Sequence, residues 1–306
     1  MQEWISRLKS ETDAELKLNE PMSVHTSFRI GGPAEVFAKL SNQLQLNTVI
    51  DFCNSNSIPL LFIGRGTNML FSDQGRRGVV AKLSGQFSGI KFYDERQSLT
   101  AGAGVPLPKL ARYTAKKSLA GLEFAFGIPG SLGGALIMNA GANSGSVADV
   151  IESVEVVDMT ENKSEVISIS RNKIDFAYRW SSLEKFICIT KAFIRMKSDE
   201  PEQIFKRMKT YLQKRKSTQP ISAASAGCVF RNPPGMSAGK LIDECGLKGE
   251  KIGGAQVSEL HANFIINANN STARDVVNLI DKVRTVVERK TGVELELEIG
   301  VFHCDN

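Results

Sequence analysis

Apolar residues recur along this chain with two periods, and the changes from one to the other divide it into elements. Trp4, Ile5 and Leu8 stand at near-helical spacing and predict a short amphipathic helix in a section that Pro21 closes. Alternation over residues 34–40 predicts a strand, since side chains two apart share one face of a sheet. Helical spacing returns at Leu46, Val49, Ile50 and Cys53 and stops at Asn54-Ser55-Asn56. An apolar run from residue 61 breaks at Gly64-Arg65-Gly66-Thr67-Asn68 and resumes to residue 73, which predicts strand, turn, strand. Runs at 79–83 and 89–92 predict further strands, and 100–105 a tight turn. Residues 107–118 predict an amphipathic helix whose last-turn lysines, Lys116 and Lys117, suit the negative end of the helix dipole. Strands follow at 151–158, 165–169 and 186–196.

Pro201 marks a change of character, and a domain boundary is expected near residue 200. Ile204, Met208 and Leu212 form one helical stripe among Lys206, Arg207, Lys209, Lys214, Arg215 and Lys216. Beyond it come a short helix at 238–245, strands at 255–257 and 264–267, and a long helix at 272–290 with Thr272 and Asp275 as a capping box. Gly292 ends that helix, and a final strand is expected over 293–302. The class is α+β in two lobes, which suits a chain of 306 residues.

Two glycine-rich stretches change the picture from fold to chemistry. Residues 121–142 hold Gly121, Gly127, Gly130, Gly133, Gly134 and Gly141 among apolar residues, with Glu123 as the only charge. Such density is tolerated where the chain must reach positive φ or let another group touch its backbone. Bare amides in tight turns point N–H dipoles into one concavity, which suits diphosphate oxygens or the carbonyls of a flavin ring. The alternative is a set of turns between buried strands; the second stretch, at 64–68, favours the cradle. The second stretch is not a G-x-G-x-x-G, since no third glycine opens a helix, so a Rossmann dinucleotide site is the weaker reading, and it is not a Walker loop, since no Gly-Lys-Ser/Thr follows.

Composition narrows the rest. A net charge of +5 is mild, and the six basic residues between 206 and 216 read as a solvated helix face rather than a nucleic-acid surface. The charged N-terminus lacks the apolar core of a signal peptide and no run approaches a membrane span, so a cytoplasmic protein, without nucleic-acid or membrane partners, is expected. Cys53, Cys188, Cys228, Cys245 and Cys304 show no C-x-x-C spacing, and His25, His261 and His303 are far apart, so neither a disulfide framework nor a metal site is expected.

Three polar clusters could carry chemistry. Tyr178-Arg179-Trp180-Ser181 sets a guanidinium beside two aromatics, fit for a carboxylate or phosphate, or a surface arginine stacked on Trp180. Gly227-Cys228-Val229-Phe230-Arg231-Asn232-Pro233 places a thiol after a glycine, a proton donor or an inert buried cysteine. Leu295-Glu296-Leu297-Glu298-Ile299 would place both glutamates on one face of a strand, as a solvated edge if nothing else.

Taken in order with Thr26-Ser27-Phe28-Arg29-Ile30-Gly31-Gly32, Gly127-Ile128-Pro129-Gly130-Ser131-Leu132-Gly133-Gly134, Asn139-Ala140-Gly141-Ala142 and Ala238-Gly239-Lys240-Leu241-Ile242, these clusters resemble one family over nearly the whole chain. It is the flavin-dependent UDP-N-acetylenolpyruvoylglucosamine reductases, in the shorter subtype without an extra substrate-covering loop. The resemblance implies an FAD-binding fold of the vanillyl-alcohol-oxidase kind over residues 1–200, in subdomains of about 1–60 and 61–200, and a substrate lobe over 201–306. It implies that NADPH reduces FAD and that reduced FAD passes hydride to the enolpyruvyl group of a UDP-sugar, giving UDP-N-acetylmuramate for peptidoglycan.

Carried over residue by residue, the resemblance makes Arg179, Cys228 and Glu298 catalytic, with Cys228 standing where many members have serine. It assigns Gly64, Arg65, Gly66, Thr67, Asn68, Gly127, Ile128, Pro129, Gly130, Ser131, Gly133, Gly134, Asn139 and Gly141 to FAD. Tyr178, Ser181, Asn232, Lys240 and Gln256 are assigned to the UDP-sugar, and no metal and a monomer are expected. Rival readings are a flavin oxidase of the same fold, whose covalent histidine or cysteine is replaced here by Arg65, and a non-enzymatic binder of UDP-sugars or nucleic acid.

Overall fold

The computed structural model describes residues 3–160 and 163–303, so Cys304 lies outside the described residues. The chain packs as two compact units. The first comprises residues up to 18, 36–65 and 78–213, and the second 19–35, 66–77 and from 214 onward.

In the first unit, helix α1 (Glu3–Glu11) buries Ile5 and Leu8, as their spacing dictates. Helix α2 (Gln43–Ser55) starts where the Asn42 side chain accepts the Gln45 amide, and it buries Leu46, Val49, Ile50 and Cys53. These side chains fill a core with Val36, Ala38, Val79 and Ala81. A four-stranded sheet runs Glu15–Pro21, Pro33–Leu40, Arg76–Leu83, Leu60–Ile63, the last two strands being parallel. A second, five-stranded sheet is antiparallel throughout, in the order Lys163–Ser170, Ile151–Thr160, Cys188–Arg195, Ser98–Gly102, Ile90–Tyr93. Helix α3 (Leu107–Lys116) packs Leu107, Leu110, Ala111 and Ala115 into the core beside that sheet.

Two expectations for this unit need correction. Residues 100–102 are sheet, not turn: Thr100 and Ala101 are buried and paired with Phe193 and Ala192. Gly102 is required by close approach, since a Cβ there would lie 2.1 Å from the Phe87 carbonyl oxygen. The glycine-rich stretch is likewise not all tight turns. Helix α4 (Leu132–Ile137) opens on Ser131, whose hydroxyl accepts the Gly134 amide, so Gly133 and Gly134 occupy a helical first turn. Helix α5 (Pro201–Thr218) buries Ile204 and Met208.

The second unit is built on a four-stranded antiparallel sheet, Ser225–Cys228, Phe264–Asn267, Ala255–Val257, Lys251–Ile252. It also holds the short helix α6 (Ala238–Glu244) and the long helix α7 (Ala273–Thr291). Helix α7 has the capping box at Thr272 and Asp275 and the left-handed C-terminal glycine, Gly292 at φ 71°. Its Val276, Ile280, Val283 and Val287 join Phe28, Leu70, Val229 and Phe230 in one core. Asp73 caps the same helix from the segment 66–77, accepting the Ala273 and Arg274 amides at 2.8 and 3.1 Å.

The expected final strand shortens to Gly300–Phe302, which pairs in parallel with Met69–Phe71. Among the described residues, 293–299 form no strand ladder and pair only through an isolated bridge, Phe230 to Leu297. With no continuous ladder to hold a common face, Glu296 is exposed while Glu298 is half-buried, so the two glutamates do not share one environment. The architecture is α+β, as expected.

Candidate active site

In the first unit the two glycine stretches come together. A Cβ at Gly64 would lie 2.3 Å from the Ser131 hydroxyl oxygen, so this contact exists only because residue 64 has no side chain. Gly133 donates its amide to the Ala103 carbonyl at 2.8 Å, fixing the start of α4. Among the described residues the amides of Arg65, Gly130 and Ser131 donate to no protein acceptor. Lys82 stands opposite Ile63 in the parallel register; burial pushes its ammonium below the usual lysine range, and the nearby positive charges of Arg65 and Lys39 add to that. Two cations beside a glycine turn attract an anion. No motif marked Lys82, because only the strand pairing brings it there.

Further along this stretch, Asn139 donates its side-chain amide to the Ala177 carbonyl at 3.0 Å. Phe176–Ala177 and Trp180–Ser181 form a hairpin with Tyr178 and Arg179 at its tip. Arg179 sits at φ 56°, donates Nη1 to the Gly141 carbonyl at 3.4 Å and lies 5.4 Å from the centre of the Tyr178 ring. The aromatic under Arg179 is therefore Tyr178; Trp180 instead donates its indole N–H to Glu184. Ser181 is fully buried and its hydroxyl donates to the Leu136 carbonyl at 2.8 Å, which anchors the hairpin to α4.

Glu123 is nearly buried and bound on three sides. Its Oε2 accepts the Gly121 amide at 2.7 Å, and its Oε1 accepts Nε and Nη2 of Arg207 at 3.0 and 2.6 Å. Arg207 also reaches Asp199 at 2.5 Å. One residue of the basic helix is thus spent on holding the turn Glu123–Gly127, which leads into Ile128-Pro129-Gly130.

The second unit gathers a different set. The Asn68 side chain donates to the Glu298 carbonyl at 3.0 Å, and the Gly300 amide donates back to the Asn68 carbonyl at 2.9 Å. The Glu298 amide donates to the Val229 carbonyl at 2.8 Å, next to Cys228. A Cβ at Gly227, whose φ is +83°, would stand 4.0 Å from the Thr67 carbonyl oxygen. Thr67-Asn68, Gly227-Cys228 and Glu298 therefore adjoin one another. Gly66 is forced by its position, since a Cβ there would lie 2.2 Å from the His25 carbonyl oxygen.

Two supports for this junction carried no signal as single residues. Ser27 donates its hydroxyl to the Ser225 carbonyl at 2.6 Å, at the head of the strand carrying Cys228. Asn263 accepts the Phe230 amide at 2.9 Å and donates to the Phe230 carbonyl at 2.8 Å, clamping the segment just after the thiol. Asn232 accepts the Ala238 amide at 3.0 Å and so helps open α6. Lys240 lies exposed on that helix beside Glu244, and Gln256 is half-buried on the strand next to Phe264–Asn267. Cys228 is half-buried. Cys53, Cys188 and Cys245 are buried, and burial raises the Cys53 thiol to about 12 and the Cys188 thiol still further.

Residues 34–164 match the FAD binding domain model, and residues 219–302 match that of the UDP-N-acetylenolpyruvoylglucosamine reductase C-terminal domain. The protein is accordingly an FAD-dependent oxidoreductase. The glycine turns fit the cofactor's chemistry: among the described residues the Arg65, Gly130 and Ser131 amides donate to no protein acceptor, and the positive charges of Arg65 and Lys82 beside the turn have the sign that suits a diphosphate.

The reductases of Caldanaerobacter subterraneus subsp. tengcongensis and Desulforamulus reducens are 45% and 42% identical, over 94% and 97% of this chain and the same shares of their own lengths. A crystal structure of the enzyme from Thermus caldophilus, 35% identical, superimposes with a TM-score of 0.79 over 94% of this chain and 98% of that one. The chain belongs to the UDP-N-acetylenolpyruvoylglucosamine reductase family.

Proposed function

We propose that the protein uses NADPH to reduce the enolpyruvyl double bond of UDP-N-acetylglucosamine enolpyruvate, giving UDP-N-acetylmuramate for peptidoglycan synthesis, and that it acts in the cytoplasm as a monomer. The observation that carries this reading is the junction of Thr67-Asn68, Gly227-Cys228 and Glu298, three separate motifs brought together by the hydrogen bonds of Asn68 and Glu298 and the close approach of Gly227 to Thr67, beside a half-buried thiol. Bound FAD supplies the transfer of hydride from NADPH to the substrate.

The chain's own residues handle charge and protons. Hydride addition to one alkene carbon drives negative charge toward the neighbouring carbon and its carboxylate, and the Arg179 guanidinium answers that charge. The Cys228 thiol then delivers the proton to carbon; its reference pKa of roughly 8.5 lies well below that of an alcohol, so it serves where serine is common in the family. Glu298 faces a substrate carboxylate and acts protonated or beside a cation, because two bare carboxylates repel. The glycine turns at 64–68 and 127–134, with Gly141, serve the cofactor in the part of the chain before residue 200. Tyr178, Asn232, Lys240 and Gln256 serve the UDP-sugar, and Ser181 anchors the hairpin that carries Tyr178.

The test is product identity. Incubation with NADPH and the enolpyruvyl UDP-sugar should yield a product heavier by two hydrogens. Cys228→Ala should lower turnover by roughly 10²-fold or more, while Cys228→Ser keeps measurable activity. An unchanged substrate contradicts the function, and undiminished turnover in Cys228→Ala removes the thiol from it.

A further inference from the structure

Asn139 belongs by motif to the glycine-rich stretch, yet its contacts lead elsewhere. Its Nδ2 donates to the Ala177 carbonyl, one residue before the tip of the hairpin, while from that tip Arg179 donates back to the Gly141 carbonyl. Ser181 adds a third tie, to the Leu136 carbonyl. The segment 136–141 and the hairpin 176–181 are thus stapled at three points, two of them by residues in the left-handed region, Asn139 at φ 40° and Arg179 at φ 56°. A non-glycine residue keeps such a conformation when its surroundings impose it.

We infer that Asn139 is a positioning residue for Arg179, holding the hairpin tip at the distance from the glycine-rich stretch that the guanidinium needs. This rests on the reading of Arg179 as the group that answers the substrate carboxylate. The orientation of the Asn139 amide supports it. A carbonyl acceptor at Ala177 demands the N–H side of the amide, and the remaining Oδ1 is shielded from solvent with no hydrogen-bond partner among the described residues. The side chain spends its one satisfied polar group on the hairpin.

Two substitutions separate positioning from cofactor binding, and both tolerate the left-handed backbone, so both should fold. Asn139→Gly removes the donor, and Asn139→Asp keeps the shape but faces the Ala177 carbonyl with an acceptor. In each, FAD affinity and the rate of flavin reduction by NADPH should match the wild type. Reoxidation of the reduced enzyme by the enolpyruvyl UDP-sugar should slow by about 10–100-fold, the scale of a misplacement near 1 Å. Unchanged reoxidation in both variants overturns the inference. Weakened FAD binding in both also overturns it and makes Asn139 a cofactor ligand. If the wild-type enzyme itself is not reoxidised by the UDP-sugar, the functional reading falls and this inference with it, an outcome told apart because it appears without any substitution.

Discussion

Arg207→Ala offers the sharpest test of the packing around the glycine-rich stretch. The Glu123 side chain is 10% exposed and takes three hydrogen bonds, two of them from Arg207. Removing the guanidinium leaves a nearly buried carboxylate with the Gly121 amide as its remaining donor here. Breaking a fully buried pair in this way costs about 3–5 kcal/mol. Arg207 itself is 37% exposed, so water partly replaces it and the expected loss is about 2–3 kcal/mol. The companion variant Glu123→Gln keeps an acceptor for the amide without the charge and should lose only about 1 kcal/mol. The double variant should therefore be more stable than Arg207→Ala alone, because no bare carboxylate is left behind. Equilibrium urea unfolding of all four proteins measures these terms directly. The reasoning is refuted if Arg207→Ala lies within about 0.5 kcal/mol of wild type, or if the double variant is the least stable of the set.

Gly64→Ala should destabilise the protein by about 1–3 kcal/mol and weaken FAD retention, since its Cβ would meet Ser131 Oγ at 2.3 Å. Adding Ser131→Ala should recover part of both losses, less about 1 kcal/mol for the lost helix cap; a single variant as stable as wild type would count against the contact. Acid should act through Asp275, Asp199 and Glu250. The carboxyls are held below the usual range, Asp275 chiefly by the Thr272 amide, Asp199 chiefly by its hydrogen bond from Arg207, and Glu250 chiefly by that from Lys282. Their folded pKa values lie below the unfolded ones, so their contribution is complete above about pH 5 and fades as pH falls through about 4 and lower. Denaturant midpoints should therefore drop between pH 5 and pH 3, and Asp275→Asn should reduce the size of that drop; stability rising on acidification contradicts the assignment.

What could be read from the sequence was what local chemistry determines. Helix α7 shows itself through Thr272, Asp275, a stripe of valines and Gly292, all of which act within a turn or two of their neighbours. The segment 293–299 misleads because alternation records which side chains share a face but not whether a partner strand is present along its length. Gly133 and Gly134 mislead for a related reason: glycine marks both positive φ and close approach, and here they sit in the first turn of a helix, with Gly133 pressed against Ala103. The motifs of the candidate site were legible one by one and in their order. Their junctions were not, because Asn68 with Glu298, Glu123 with Arg207, and Asn139 with Ala177 are contacts between residues far apart in the chain. Period and spacing carry no information at that range.

The most direct test of the central claim is an anaerobic absorbance experiment on the purified protein. The account predicts a flavin spectrum that NADPH bleaches and that one equivalent of UDP-N-acetylglucosamine enolpyruvate restores. A colourless protein, or a bleached one that the UDP-sugar leaves unchanged, would contradict it.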